Sequence, residues 1–130
     1  MKVDVVKFYS LGAGGIDSLT GVGLLLMPEI TLRVMGVDHS LYQLELIRFI
    51  GAFVFAVGSL YLWSLFLERS VLRILWWATA WVRVCVSVVT GGMILRGVLG
   101  FEWVAVPLTD LSLAVFQVWW LCRYKEREGL

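Results

Sequence analysis

Charge is scarce in this sequence. Only 16% of its 130 residues are Asp, Glu, Lys or Arg. Disorder needs high charge and low hydrophobicity, so it is excluded. Eleven basic and ten acidic residues leave a net charge of +1. No basic excess points to nucleic acid, and no Lys/Arg run is long enough to track a phosphate backbone. Histidine occurs once, at His39, which excludes a metal site built on two His ligands. Cysteine occurs only at Cys85 and Cys122, with no Cys-x-x-Cys between them, which disfavours thiol–disulfide exchange. Proline occurs only at Pro28 and Pro107. There is no internal repeat and no low-complexity linker. No metal or cofactor is implied.

What remains is apolar. Hydrophobic types make up 60% of the chain, against roughly 45–50% in a soluble domain. Mean hydropathy is +0.87. Seven Trp, seven Phe and four Tyr are included. A soluble fold of this length has too little interior to hide so much apolar surface, so the class is a small integral membrane protein of one domain. The start, MKVDVVKFYS, runs into a Gly-rich apolar stretch with no small-x-small cleavage site. It is expected to be a retained membrane segment.

A bilayer core about 30 Å thick takes about 20 apolar residues in a helix. Four such stretches are expected, over residues 8–27, 41–67, 72–95 and 101–121. The first contains Gly12, Gly14, Gly15, Gly21 and Gly23 and stops at Pro28. Glycine lets neighbouring membrane helices approach closely. Ser40 and Gln43 fit a capping box at the start of the second stretch. Between these two, Ile30, Leu32, Val34, Met35 and Val37 interleave with Glu29, Arg33 and Asp38. That pattern suits one amphipathic turn lying in the interface. The remaining links are short, which predicts an all-α, up-down four-helix transmembrane bundle.

Basic residues set the orientation. Lys2, Lys7, Arg69, Arg73, Arg123, Lys125 and Arg127 share one side, and Arg33 and Arg96 the other. Both termini are therefore expected in the cytoplasm, with a bacterial plasma membrane as the setting. Trp63, Trp76, Trp77, Trp103, Trp119 and Trp120 lie toward helix ends, where indoles suit the interface, and Trp81 lies deeper.

Five charges fall inside the stretches: Asp17, Glu45, Arg48, Arg83 and Asp110. Such residues cost about 2.5–3.5 kcal/mol each at the bilayer centre, so they face other helices and find partners. At about 1.5 Å per residue from the non-cytoplasmic ends, Glu45 lies about 6 Å deep, Arg48 about 10 Å, Asp110 about 13 Å, Asp17 about 16 Å and Arg83 about 18 Å. An ion-pair cluster of two acids and two arginines is expected from these depths. Trp76, Ala80, Arg83, Ser87 and Thr90 make one stripe by helical spacing. Asp110 and Gln117 share a face with Ala114 between them. Ser10 and Asp17 share another, with Gly14 and Gly21 alongside. Glu45, Arg48 and Ala52 line a third, near Gly51 and Gly58. Small residues beside charges leave room for water or a ligand. Pro107 is expected to leave the Trp103 carbonyl unpaired and to kink the fourth helix one turn before Asp110.

The charged cluster either holds helices together or lines a polar chamber opening outward. Glu45 reads as a local partner of Arg48. His39 reads as a solvated loop residue. Cys85 and Cys122 read as small buried hydrophobes at different depths, unbonded to each other. The aromatics read as anchors and packing.

The run Pro28-Glu29…Met35-Gly36-Val37, followed by Leu46-Ile47-Arg48-Phe49-Ile50-Gly51-Ala52…Gly58, resembles the first half of the small four-helix DoxX-like membrane proteins. In that group a Pro-terminated first helix precedes a second helix carrying Arg followed by Gly-Ala. The likeness covers residues 20–60. It implies the four-helix fold and an inward Arg48, and it supplies no reaction. Multidrug transporters of this length carry a membrane Glu in the first helix, where this chain has Asp17. Glutathione-using membrane enzymes carry an Asn-x-x-Glu pattern that this chain lacks.

Three functions fit. The first is binding: an accessory subunit against partner helices or a second copy, or a bundle holding a lipid-like molecule. Arg48, Arg83, Glu45, Gln117 and Trp76 are then the ligand-contacting residues. The second is a membrane enzyme on a lipidic substrate, by isomerisation, epoxide opening or cyclisation. Asp110 would be its general acid, Asp17 its base or counter-charge, and the two arginines its anion holders. The third is proton-coupled transport by an oligomer using Asp17 and Asp110.

Overall fold

Four breaks in the backbone decide the architecture, and each has a local cause. A computed structural model describes residues 2–128, with side chains over 5–68 and 70–123. Helix α1 runs Lys2–Leu26. Met27 leaves the helical region, at φ −136° and ψ 60°, because the following proline disfavours α backbone there. Pro28 then opens α2, Pro28–Val34, at a position where its missing N–H is no loss. The expected amphipathic turn is thus a short helix. It ends at Gly36, whose φ of +77° favours glycine. Val37 N donates to Leu32 O and Gly36 N to Arg33 O, a Schellman cap. Leu32 and Val37 are both buried, the apolar contact such a cap carries.

A 3-10 turn follows over His39–Leu41. The Asp38 carboxylate accepts from the Ser40 hydroxyl at 2.8 Å and the Ser40 backbone N–H at 3.0 Å. The hydroxyl bond, then the backbone bond, hold the Asp38 carboxyl below its ordinary range. Ser40 is therefore spent inside this turn. It does not cap the next helix, as the capping-box pattern suggests. Helix α3 runs Leu44–Ser64, with Gln43 at its N-cap making no side-chain bond.

Helix α4 spans Arg69–Leu95, and Gly97, at φ +70°, closes it in the same way as Gly36 closes α2. Val98 N donates to Met93 O and Gly97 N to Ile94 O. A second 3-10 turn, Phe101–Val104, leads into α5, Ala105–Glu128. Pro107 is therefore the third residue of α5, where backbone N–H groups lack intrahelical acceptors anyway. The expected kink has no bond to break. The Trp103 carbonyl, expected to be unpaired, accepts from the Ala105 N–H.

The described residues are helical, with no strand among them. Among them, Leu44–Ser64, Ser70–Leu95 and Phe101–Arg123 are long and apolar enough to cross a membrane. Helix α1 is not one of the three, because five glycines, together with Ser10, Asp17 and Ser18, dilute its apolar residues.

The chain divides into two compact units, Met1–Glu68 and Arg69–Leu130. In the first, α1 and α3 run antiparallel: Ser10 lies against Ser64, Gly14 against Gly58 and Tyr61, and Leu24 against Gly51. In the second, α4 and α5 run antiparallel: Gln117 lies against Thr79, Asp110 against Arg83, and Pro107 against Ser87.

Candidate functional site

The polar residues of the second unit form one line down its helix pair. Trp76, Thr79, Ala80, Arg83 and Ser87 are buried on α4, and Ala114 and Gln117 on α5. Helical periodicity puts them there, since each series recurs every three or four residues. At one end, the Ser87 hydroxyl donates to Pro107 O at 3.1 Å. One turn along, an Arg83 guanidinium N–H donates to Asp110 Oδ1. Further along, Gln117 Nε2 donates to Thr79 Oγ1 at 3.0 Å and to the Trp76 carbonyl at 3.4 Å.

The Arg83–Asp110 pair is a buried charge interaction between helices. The Arg83 side chain is 4% exposed and that of Asp110 19%. A buried guanidinium needs an opposite charge, and a carboxylate one turn inside the neighbouring helix meets that need. One edge of the Asp110 carboxylate still reaches the surface. Chemically the pair can hold two helices in register. If parted, it can offer a carboxyl group and a guanidinium to a polar group arriving from the membrane.

The first unit treats its charges differently. Arg48 Nη1 donates to Glu45 Oε1 at 2.7 Å, within one turn of the same helix. Their side chains are 45% and 84% exposed. Because α3 begins at Leu44, Arg48 lies about 6 Å from the helix start, nearer the rim than the sequence depth of about 10 Å. Asp17 is half-buried on α1, with its Cβ directed at Gly58 of α3. Among the candidate charges, Glu45–Arg48 is a local pair and Arg83–Asp110 an inter-helix pair. Asp17 lies on α1 beside Gly58.

Small residues in this seam hold no open space. A Cβ added to Gly58 would lie 2.5 Å from Ser18 N, and one added to Gly14 would lie 2.9 Å from Gly58 O. Backbone fills what the sequence reading left to water or ligand. Ser64 Oγ donates to Tyr61 O at 2.5 Å and approaches Ser10 Oγ at 3.5 Å.

Other expectations need correction. Cys85 and Cys122 are free thiols, as expected, but both are exposed. Their helix faces turn away from the partner helix. Trp76 and Trp103 are buried, so they pack inside the protein instead of anchoring an interface. Trp63, Trp77, Trp81 and Trp119 are the exposed indoles. Thr79 escaped the sequence reading although it bonds Gln117. Its position, three after Trp76 and four before Arg83, was the available signal. Tyr61 also escaped it. This buried ring meets Tyr9 edge-on at 6.0 Å.

Among the described residues, no three His, Cys, Asp or Glu side chains gather as a metal site. Comparison with protein-family models, with curated proteins and with solved structures gives no match.

Proposed function

We propose that this protein works by binding. It is a small membrane component, crossing four times up and down with cytoplasmic termini, that holds a lipid-like molecule against its apolar exterior as an accessory part of its membrane. One observation carries the reading. The intramembrane charges of the α4–α5 pair are turned toward each other, while the outward faces carry Trp81, Val88, Leu108 and Val115. A surface of this kind has nothing to offer a polar substrate and much to offer acyl chains. The likeness of residues 20–60 to DoxX-like proteins agrees with the four-span topology and adds no reaction.

The test is to purify the full chain in mild detergent and weigh it by native mass spectrometry after repeated delipidation. A lipid-sized adduct at one per chain is expected to persist. A bare chain that travels alone would overturn the reading.

One observation favours a second reading. Because the Asp110 carboxyl keeps an exposed edge, it is the group placed to act as general acid on a lipidic substrate, with Arg83 holding an oxygen of that substrate. Turnover of any lipid that survives Asp110→Asn would remove that reading.

A further inference from the structure

A shallow apolar groove runs along the outside of the α4–α5 pair, lined by Val84 from α4 and Ala114, Val115, Val118 and Trp119 from α5. Its volume is ≈ 290 Å³, at the lower edge of the roughly 300–1,000 Å³ of small-molecule pockets. That is room for a segment of chain, not for a whole drug-sized molecule. No polar atom lines it.

The groove has a charged end. Arg123 lies one turn beyond Trp119, with its guanidinium carbon 5.0 Å from the centre of the Trp119 ring. This cation–π contact holds the charge over the groove's rim. On α4, exposed Arg73 lies eleven residues before Val84, three helical turns along the same face, with Trp77 between them. The antiparallel register brings the start of α4 and the end of α5 to one end of the pair. In that unit Arg73 and Arg123, both exposed, lie toward this end. The rise from Ala114 to Arg123 is about 14 Å, which matches the upper part of an acyl chain.

We propose that this groove is a binding site for an anionic phospholipid, its phosphate headgroup held by Arg123 and Arg73 and one acyl chain laid along Val118, Val115 and Val84. The inference rests on the lipid-binding reading above and names the lipid class. Charge complementarity selects the occupant. An apolar trough alone suits any chain, but a trough ending in paired arginines suits a lipid whose head is negative. The Trp119 indole marks the boundary between the two, as indoles do at the membrane interface.

The experiment offers the delipidated full chain two phospholipids of identical acyl chains, phosphatidylglycerol and phosphatidylcholine, and reads bound adduct by native mass spectrometry. Phosphatidylglycerol is expected to bind at least tenfold more tightly. Arg123→Gln and Arg73→Gln are each expected to weaken it about fivefold, the worth of one basic residue at an anionic surface. Arg123→Lys is expected to retain most of the binding. Val115→Trp fills the trough and is expected to weaken both lipids while leaving the charges intact. Circular dichroism and a single elution peak establish that each variant is folded. Equal binding of the two lipids, or indifference to both arginine changes, overturns the proposal and leaves the lipid-binding reading standing. Absence of any adduct defeats both. A dimer present in the wild type and lost in Val115→Trp would show a second copy in the groove, and would also overturn the proposal.

Discussion

The α1–α3 pair and the α4–α5 pair are both antiparallel, yet they hold together by opposite means. In the first, side chains are missing where the helices cross. Gly14 and Gly21 on α1 face Gly58, Tyr61 and Phe55 on α3, and Gly51 faces Leu24. In the second, side chains reach across: Ser87 to Pro107, Arg83 to Asp110, Gln117 to Thr79. Lipid tails are as apolar as leucine, so burying leucine between membrane helices gains little. What is left is close van der Waals contact, which needs small residues, and hydrogen bonding, which needs polar ones. Each pair specialises in one of the two.

The sharpest way to break the comparison is to remove one partner of the central ion pair. Arg83→Leu takes the guanidinium from the Asp110 carboxylate, and Asp110→Leu takes the carboxylate from the buried guanidinium. Each is expected to cost about 3–5 kcal/mol. The double change, Arg83→Leu with Asp110→Leu, is expected to recover most of that loss, because no buried charge is left alone. Reversible unfolding in dodecyl sulfate, followed by circular dichroism on the full chain, measures all three. Single changes within 0.5 kcal/mol of wild type would mean that the α4–α5 pair is not held by its charges.

The second largest effect is expected in the other pair. Gly58→Ala places a methyl group 2.5 Å from Ser18 N. A backbone atom cannot rotate away as a side-chain tip can, so the helices must separate. The expected loss is about 1–3 kcal/mol. Gly15→Ala is the matched control. Nothing lies within 4 Å of the added carbon, so the change is expected to be neutral or to gain about 0.5 kcal/mol from reduced freedom of the unfolded chain. Equal responses at the two positions would show that close approach does not hold α1 to α3.

Much of this was legible in the letters. The all-helical class followed from hydropathy, and the buried stripe of Trp76, Ala80, Arg83 and Ser87 followed from periodicity. What failed has a common cause: local signals were overridden by neighbours that spacing does not reveal. Ser40 with Gln43 matches a capping box, but Asp38 takes Ser40 first. Pro107 looks like a kink only if α5 starts at Phe101, and a 3-10 turn delays that start to Ala105. The glycines of α1 admitted two readings, space or contact. Which one holds depends on the α3 residues opposite, Gly51 and Gly58, and so on register. The same glycines that let α1 approach α3 keep it from being as apolar as α3.

The smallest effect tests whether hydrogen bonds alone distinguish the α4–α5 pair. Gln117 is fully buried and donates to Thr79 Oγ1 and to the Trp76 carbonyl. Gln117→Leu keeps the volume and deletes both bonds. Thr79 Oγ1 still donates to the Leu75 carbonyl at 3.0 Å, so it is not stranded, and the Trp76 carbonyl still accepts from Thr79 at 3.2 Å. The expected cost is therefore only the average inter-helix value, about 0.6 kcal/mol, read by the same unfolding assay. The reason it is small is the reason the Arg83 effect is large. A neutral acceptor left behind finds another donor within its own helix, whereas a buried charge left behind has lost the opposite charge set against it. A Gln117→Leu cost that equals the Arg83→Leu cost would mean that polar continuity along the whole stripe holds the α4–α5 pair. A cost near zero would leave the clasping to the Arg83–Asp110 pair and the Ser87–Pro107 bond.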